Sequence, residues 1–133
     1  MCSSDLATEP EIQVKLVSYG EARVRTGYMG EAPVPAAQRA LKDAGLGMSD
    51  VKAVKTHNPF AAHDVYFSRE MGISVEEMNH YGSSLIFGHP QAPTGTRLII
   101  ELIEELTLLG GGVGLFSGCA AGDTAAAVVV EVS

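Results

Sequence analysis

The sequence is poor in several things, and each absence narrows the field. It holds two cysteines, Cys2 and Cys119, far apart in the chain. Such a pair cannot build the disulfide framework of a small secreted domain, which points to a reducing, cytoplasmic setting. No apolar run approaches the roughly 20 residues that a membrane-spanning helix needs, so no membrane partner is expected. Residues 1–11 are polar and acidic and do not read as a secretory signal. Basic residues are scarce: 9 Lys and Arg stand against 16 Asp and Glu, for a formal net charge of −7. That balance argues against nucleic acid and anionic membrane surfaces, while leaving small anionic ligands open. No Cys, His and carboxylate cluster has metal-ligand spacing, so no metal is expected. The glycines of LLGGGVG follow a helix pattern and precede a strand pattern. That order is wrong for a phosphate-binding loop and reads as a helix stop.

What is present is the composition of one globular domain, 46% hydrophobic and 19% charged, long enough to bury a core. Residues 12–19 alternate as a strand. After Pro35, Ala37, Ala40, Leu41 and Ala44 share a helical face, and Gly45 stops the helix. Residues 51–56 read as a second strand, and Pro59 to Gly72 as a second helix. Ser74 caps an acidic helical turn. Residues 81–92 are loop, and the longest helix runs from about Thr94 to Leu109. Its polar side carries Arg97, Glu101, Glu104, Glu105 and Leu108. Its apolar face, with Leu98, Ile99, Leu102, Ile103 and Leu106, is wide enough for burial against more than one layer. The runs 113–117 and 125–132 are apolar on both faces, as covered central strands are. The order β-α-β-α-β-α-β-β, with a short third strand, predicts an α/β fold. Its sheet is expected to be five-stranded and mostly parallel, covered by helices, with an antiparallel last strand.

In such folds function collects in loops at the carboxyl ends of strands. Three loops qualify: THNPF (56–60), GSSLIFGHPQAPTG (82–95) and SGCAAGD (117–123). Each carries one reactive side chain, His57, His89 and Cys119. Taken singly, each has an ordinary reading. His57 is a turn residue before Pro59, His89 a surface or capping histidine, and Cys119 a small residue packed tightly. His63 and His80 read as incidental. Taken together, a thiol, two imidazoles and the open backbone N–H groups of GCAAG are equipment for thioester carbonyl chemistry.

GHPQAPTGTR, followed by GGGVGLFSGCAAGDTAAAVVV, resembles the C-terminal half of the thiolases, the acyl-CoA:CoA acyltransferases. THNPFAAHD is similar to their second block, and LVSYG…PVPAAQRALKDAGL to their opening strand and helix. The resemblance covers roughly residues 12–132. It implies that His89 activates a nucleophilic cysteine and helps bind the thioester oxygen, and that Cys119 moves the substrate α-proton. His57 stands where many thiolases carry the Asn of an Asn-Glu-Ala-Phe block, and HNPF looks more like the His-Asp-Cys-Phe variant. Its implied role is to position a water or the substrate carbonyl. Pro59 and Phe60 would wall the acyl pocket, and Gly88, Ala121 and Gly122 fall at oxyanion and loop positions. Acyl-CoA and CoA are then substrates, and no cofactor is expected.

Two departures matter. The family's Cys-x-Gly is Cys119-Ala120-Ala121 here, so an extra methyl stands beside the expected oxyanion donor. The family's nucleophilic cysteine belongs to an N-terminal half with no counterpart in this sequence, and Cys2 lacks its strand-to-helix context. MCSSDL resembles the translation of a sequencing-library adapter, GTG-TGC-TCT-TCC-GAT-CT, read from an initiating GTG. Residues 1–11 are therefore expected to be a non-native or disordered leader, the first six adapter-derived, and 12–133 the thiolase C-terminal domain. By itself the chain is expected to be inactive. The expected partner is the missing N-terminal half, with the intact protein a homo-oligomer or assembled with a small accessory subunit. The alternatives are a stand-alone half-subunit that pairs with a nucleophile-bearing partner, and a non-catalytic thiolase-like protein that binds acyl-CoA or lipid.

Overall fold

A computed structural model describes residues 11–133. The adapter reading of residues 1–6, Cys2 and nearly all of the expected leader lie outside the described residues. The elements run β1 (Val14–Arg23), α1 (Pro33–Ala44), β2 (Val51–His57), α2 (Ala61–Met71), α3 (Ser84–Phe87), α4 (Ala92–Leu108), β3 (Gly112–Ala120) and β4 (Thr124–Val132). Short 3₁₀ turns lie at 29–31, 48–50 and 75–77. The last is capped by Ser74 and Glu77 as its sequence implies. Gly45 closes α1 at φ 70°, and Gly72 closes α2 at φ 71°.

The expected sheet is corrected in two ways. Among the described residues it has four strands, ordered β1-β4-β3-β2. The short strand expected before α4 is a single bridge between Met78 and Val54. Extended pairing cannot continue from there, because Asn79 and Tyr81 take positive φ angles of 55° and 68°. The pairing is also mostly antiparallel. The β3–β4 hairpin is antiparallel as expected, but β4 lies between β3 and β1 and is antiparallel to both. Among the described strands only β2 and β3 pair in parallel. Three of the four strands therefore point one way, and insertion of the fourth converts two of the three interfaces.

Side-chain alternation along the central strands feeds two cores. On one face Val54, Leu115, Ala125, Ala127 and Val129 pack with α1 and with Phe67 of α2. On the other, Ala53, Phe116, Val130 and Val132 pack with Leu98, Leu102 and Leu106 of α4. The α1 face is lined by Ala36, Ala37 and Ala40, all fully buried, so helix and strand backbones nearly touch. A Cβ at Gly20 would lie 2.2 Å from the Ala36 carbonyl oxygen, so β1 needs glycine there. The apolar face of α4 is narrower within this chain than its sequence suggests. Leu98, Leu102 and Leu106 are fully buried, whereas Ile99 and Ile103 are half-buried.

Glu105 departs from the polar side assigned to it. It is buried beneath α4, 2.9 Å from the Nζ of Lys55 on β2, which is itself fully buried. Lys55 also donates to the His80 carbonyl, and His80 Nδ1 lies 2.8 Å from the Glu105 carboxylate. His80 is thus part of an ion network. Its pKa is raised, first by the hydrogen bond to Glu105. Removing one partner of a buried pair strands the other charge. Glu105→Gln is therefore expected to cost roughly 3–5 kcal/mol in urea unfolding. Protonated His80 adds stability that is complete below the ordinary value of 6.5 and is lost as pH rises through its higher folded value. His80→Gln should remove that part of the pH dependence, so the two denaturation midpoints converge at alkaline pH. A gap between wild type and His80→Gln that does not narrow with rising pH would refute this.

Candidate active site

His57 is the last residue of β2, and its register partner across the parallel pair is Gly118. A Cβ on Gly118 would fall 2.8 Å from the His57 Cβ and 2.9 Å from Phe116 Cζ. Glycine at 118 is what lets the imidazole lie across the end of β3, where Cys119 follows. His89 arrives from the other direction, in the segment that joins α3 to α4. Thr94, in the first turn of α4, is buried and places its hydroxyl 2.9 Å from His89 Nδ1.

The three predicted side chains meet. His57 Nε2 is 3.0 Å from His89 Nδ1 and 3.2 Å from His89 Nε2. The rings are 4.1 Å apart, tilted by 54°. His57 Nδ1 is 3.2 Å from the Cys119 carbonyl oxygen and 3.5 Å from its Sγ. One consistent set of hydrogen bonds runs in a single direction. Thr94 O–H donates to His89 Nδ1, His89 Nε2–H donates to His57 Nε2, and His57 Nδ1–H donates to the Cys119 carbonyl. In the other His57 tautomer, Nδ1 is free to accept the Cys119 S–H, and Nε2–H becomes a donor.

Electrostatics keep two of these groups uncharged at neutral pH. Burial, reinforced by the neighbouring His89, lowers His57 to about 4. Burial pushes the Cys119 thiol above its ordinary value. This is not a thiolate–imidazolium pair. It is a neutral thiol beside a neutral imidazole, and the thiolate that forms on deprotonation is a strong base for its type.

The group opens into a cleft of about 470 Å³, bordered also by Pro59, Phe60 and Ala121. Phe60 is largely exposed and stacks edge-on against His63, 5.5 Å between centroids. The structure does not bring Gly88 and Gly122 to the cleft wall. Gly88 ends α3 at φ 84°, and Gly122 sits in the β3–β4 turn at φ 83°. Sequence reasoning missed four contributors. Met29 and Gln91 also line the cleft, and Gln91 holds a positive φ of 64° that side chains rarely adopt. Thr94 was legible as the polar residue one helical turn past GHP. The fourth, Asp64, bonds to both neighbours of His57, and no periodicity singles it out. Among the described residues no cluster of three or more His, Cys, Asp or Glu could hold a metal ion. None of the described helices is long and apolar enough to cross a membrane.

The sequence profile of the thiolase C-terminal domain matches residues 10–132. The chain belongs to the thiolase family. An acetyl-CoA acetyltransferase of Syntrophomonas wolfei is 31% identical over 131 residues, 97% of this chain and 33% of the relative. A 3-ketoacyl-CoA thiolase of Pseudoalteromonas atlantica is 38% identical over 116 residues, 74% of this chain and 27% of the relative. The crystal structure of the Bacillus anthracis acetyl-CoA acetyltransferase superposes with a TM-score of 0.86 at 30% identity, over 90% of this chain and 30% of that one. The human mitochondrial 3-ketoacyl-CoA thiolase in complex with CoA gives the same TM-score, identity and coverage. This thiolase domain therefore spans about a third of the length of these relatives.

The low His57 value has a measurable consequence. Its imidazole should titrate near 4 by NMR, well below a free histidine. Between the unfolded value of 6.5 and about 4 the unfolded chain binds the extra proton, so this residue's contribution to stability falls as pH falls. A His57 midpoint above 6 would refute the buried, neutral pair.

Proposed function

We propose that this thiolase domain supplies the acid/base side of an acyltransferase acting on acyl-CoA thioesters, by Claisen condensation or by thiolysis of a 3-ketoacyl-CoA. The observation that carries the reading is the contact chain Cys119–His57–His89 at the edge of one cleft, within a thiolase frame. In condensation Cys119, as thiolate, takes the proton from the carbon α to a thioester carbonyl. The electron pair left behind attacks the carbonyl of a second acyl group, held as a thioester on a nucleophilic cysteine, and that cysteine leaves as thiolate. In thiolysis the order reverses, and Cys119 returns the proton to the departing carbon.

The raised thiol pKa suits this role. A base whose conjugate acid is weaker narrows the gap to a carbon acid. His57 Nδ1 sits 3.5 Å from the sulfur and, in the Nε2–H tautomer, can accept a hydrogen bond from the thiol. His89 is exposed at the cleft and, when His57 takes its Nε2–H tautomer and no longer accepts from it, is free to donate Nε2–H to a thioester oxygen that gains charge in the transition state. His57, in its Nε2–H tautomer, supplies a second donor to the same oxygen. Pro59, Phe60 and Ala121 shape the acyl side, and the Ala121 methyl trims the space beside its own N–H.

Cys119 is the one cysteine among the described residues, so the acyl-carrying nucleophile comes from a thiolase N-terminal half. Exposed apolar side chains at Leu85, Ile86, Phe87, Ile100 and Leu108 are consistent with a surface that such a half covers.

The test is a comparison on acetoacetyl-CoA and acetyl-CoA. The 133-residue chain alone should give no thiolysis. Joined to a nucleophile-bearing half it should turn over, and Cys119→Ala should then cut α-proton exchange by about 10²–10⁴-fold. Acylation of the nucleophile should persist in that variant. Normal turnover by Cys119→Ala would sink the assignment.

A further inference from the structure

The residues on either side of His57 do not hang free. Thr56, Asn58 and Asp64 are all buried. One oxygen of the Asp64 carboxylate accepts from the Thr56 hydroxyl at 2.5 Å. The other accepts from the Asn58 side-chain amide and from Asn79 Nδ2 at 3.2 Å. Asn79 in turn accepts from the Thr56 backbone N–H at 2.8 Å. Asn58 Oδ1 accepts from the Ser84 backbone N–H at 3.1 Å, at the start of α3 and five residues before His89. A buried carboxylate with no cation beside it is expensive unless several donors meet it. Holding α2 against the sheet requires no charge, since Phe67 already does so with a fully apolar contact. What the carboxylate adds is direction at the end of β2.

We propose that Asp64 is a positioning residue that sets the place of His57, by holding Thr56 and Asn58 on either side of it. Through Asn58 and Ser84 the same carboxylate ties that place to the segment carrying His89. This rests on the reading of His57 as a substrate-facing donor, yet it concerns where the imidazole is held, not whether acyl transfer occurs.

The measurement is the His57 titration midpoint by NMR in the 133-residue chain. The charged or titratable groups that face His57 are Cys119, His89, His63 and Arg97. In Asp64→Asn a neutral amide with one acceptor oxygen replaces a carboxylate with two; the Thr56 hydroxyl must turn from donor to acceptor, the charge-assisted bonds are lost, and the ring loosens toward solvent. Its midpoint should rise from about 4 toward 6.5, by at least about one pH unit. The sign separates this from simple removal of charge, because loss of a nearby carboxylate would lower a histidine midpoint further. Phe67→Leu loosens the same helix without touching the network; it should lower the thermal midpoint and leave His57 near 4. Asn58→Ala keeps the Asp64–Thr56 bond, serves if Asp64→Asn does not fold, and should shift His57 upward by a smaller amount. In the protein joined to a nucleophile-bearing half, Asp64→Asn should lower kcat about 10²-fold with little change in KM. An unchanged or lowered His57 midpoint in both network variants overturns the proposal, as does an equal rise in Phe67→Leu. Failure of the acyl-transfer reading would show separately, as normal turnover by Cys119→Ala.

Discussion

His57 reaches Cys119 because β2 and β3 run side by side in the same direction and end at the same edge, with Gly118 between them. That single parallel pairing is the contact on which the rest depends. An antiparallel partner would carry the two side chains to opposite edges of the sheet. Any residue larger than glycine at 118 would drive the imidazole off the strand end. The remaining architecture serves to hold this juncture. α4 presses Leu98, Leu102 and Leu106 onto one face of it, and α1 and α2 close the other. The Lys55–Glu105 pair pins β2 to α4 two residues before His57.

The thiol and the buried imidazole of the site are both kept neutral. Burial disfavours the thiolate at Cys119 and the imidazolium at His57. Around this uncharged centre lie two charged anchors, Asp64 beneath His57 and the Lys55–Glu105–His80 network along α4. Asp64, Lys55 and Glu105 are buried, His80 lies at the surface, and the cleft faces the neutral groups. The buried carboxylates thus lie apart from the two neutral groups at the cleft.

Much of this was readable in one dimension. The strands, the stop glycines at 45 and 72 and the capped turn at Ser74 are local features, decided by backbone sterics and hydrogen bonding over a few residues. The gathering of His57, His89 and Cys119 was legible because each lies at or just beyond the end of a strong element, and because their motifs resemble thiolase blocks. Other features were illegible for a common reason. The insertion of β4 beside β1, the burial of Glu105 and the work of His80 and Asp64 are pairings between residues more than a few positions apart. Glu105 looks like its neighbours Glu101 and Glu104 in any window, and only Lys55 opposite makes it a core residue.

The sequence by itself determined most of the elements, the layered α/β class, the three candidate residues and membership of the thiolase family, since these follow from local propensity, periodicity and motif; the expected third strand and the loop that holds α3 are the exceptions. Tertiary structure alone decided the strand order, the antiparallel β1–β4 interface, which carboxylates are buried, and the tautomers open to His57. Each of those depends on what stands across a gap of a few ångströms, and distance through space is not written in the order of residues along the chain.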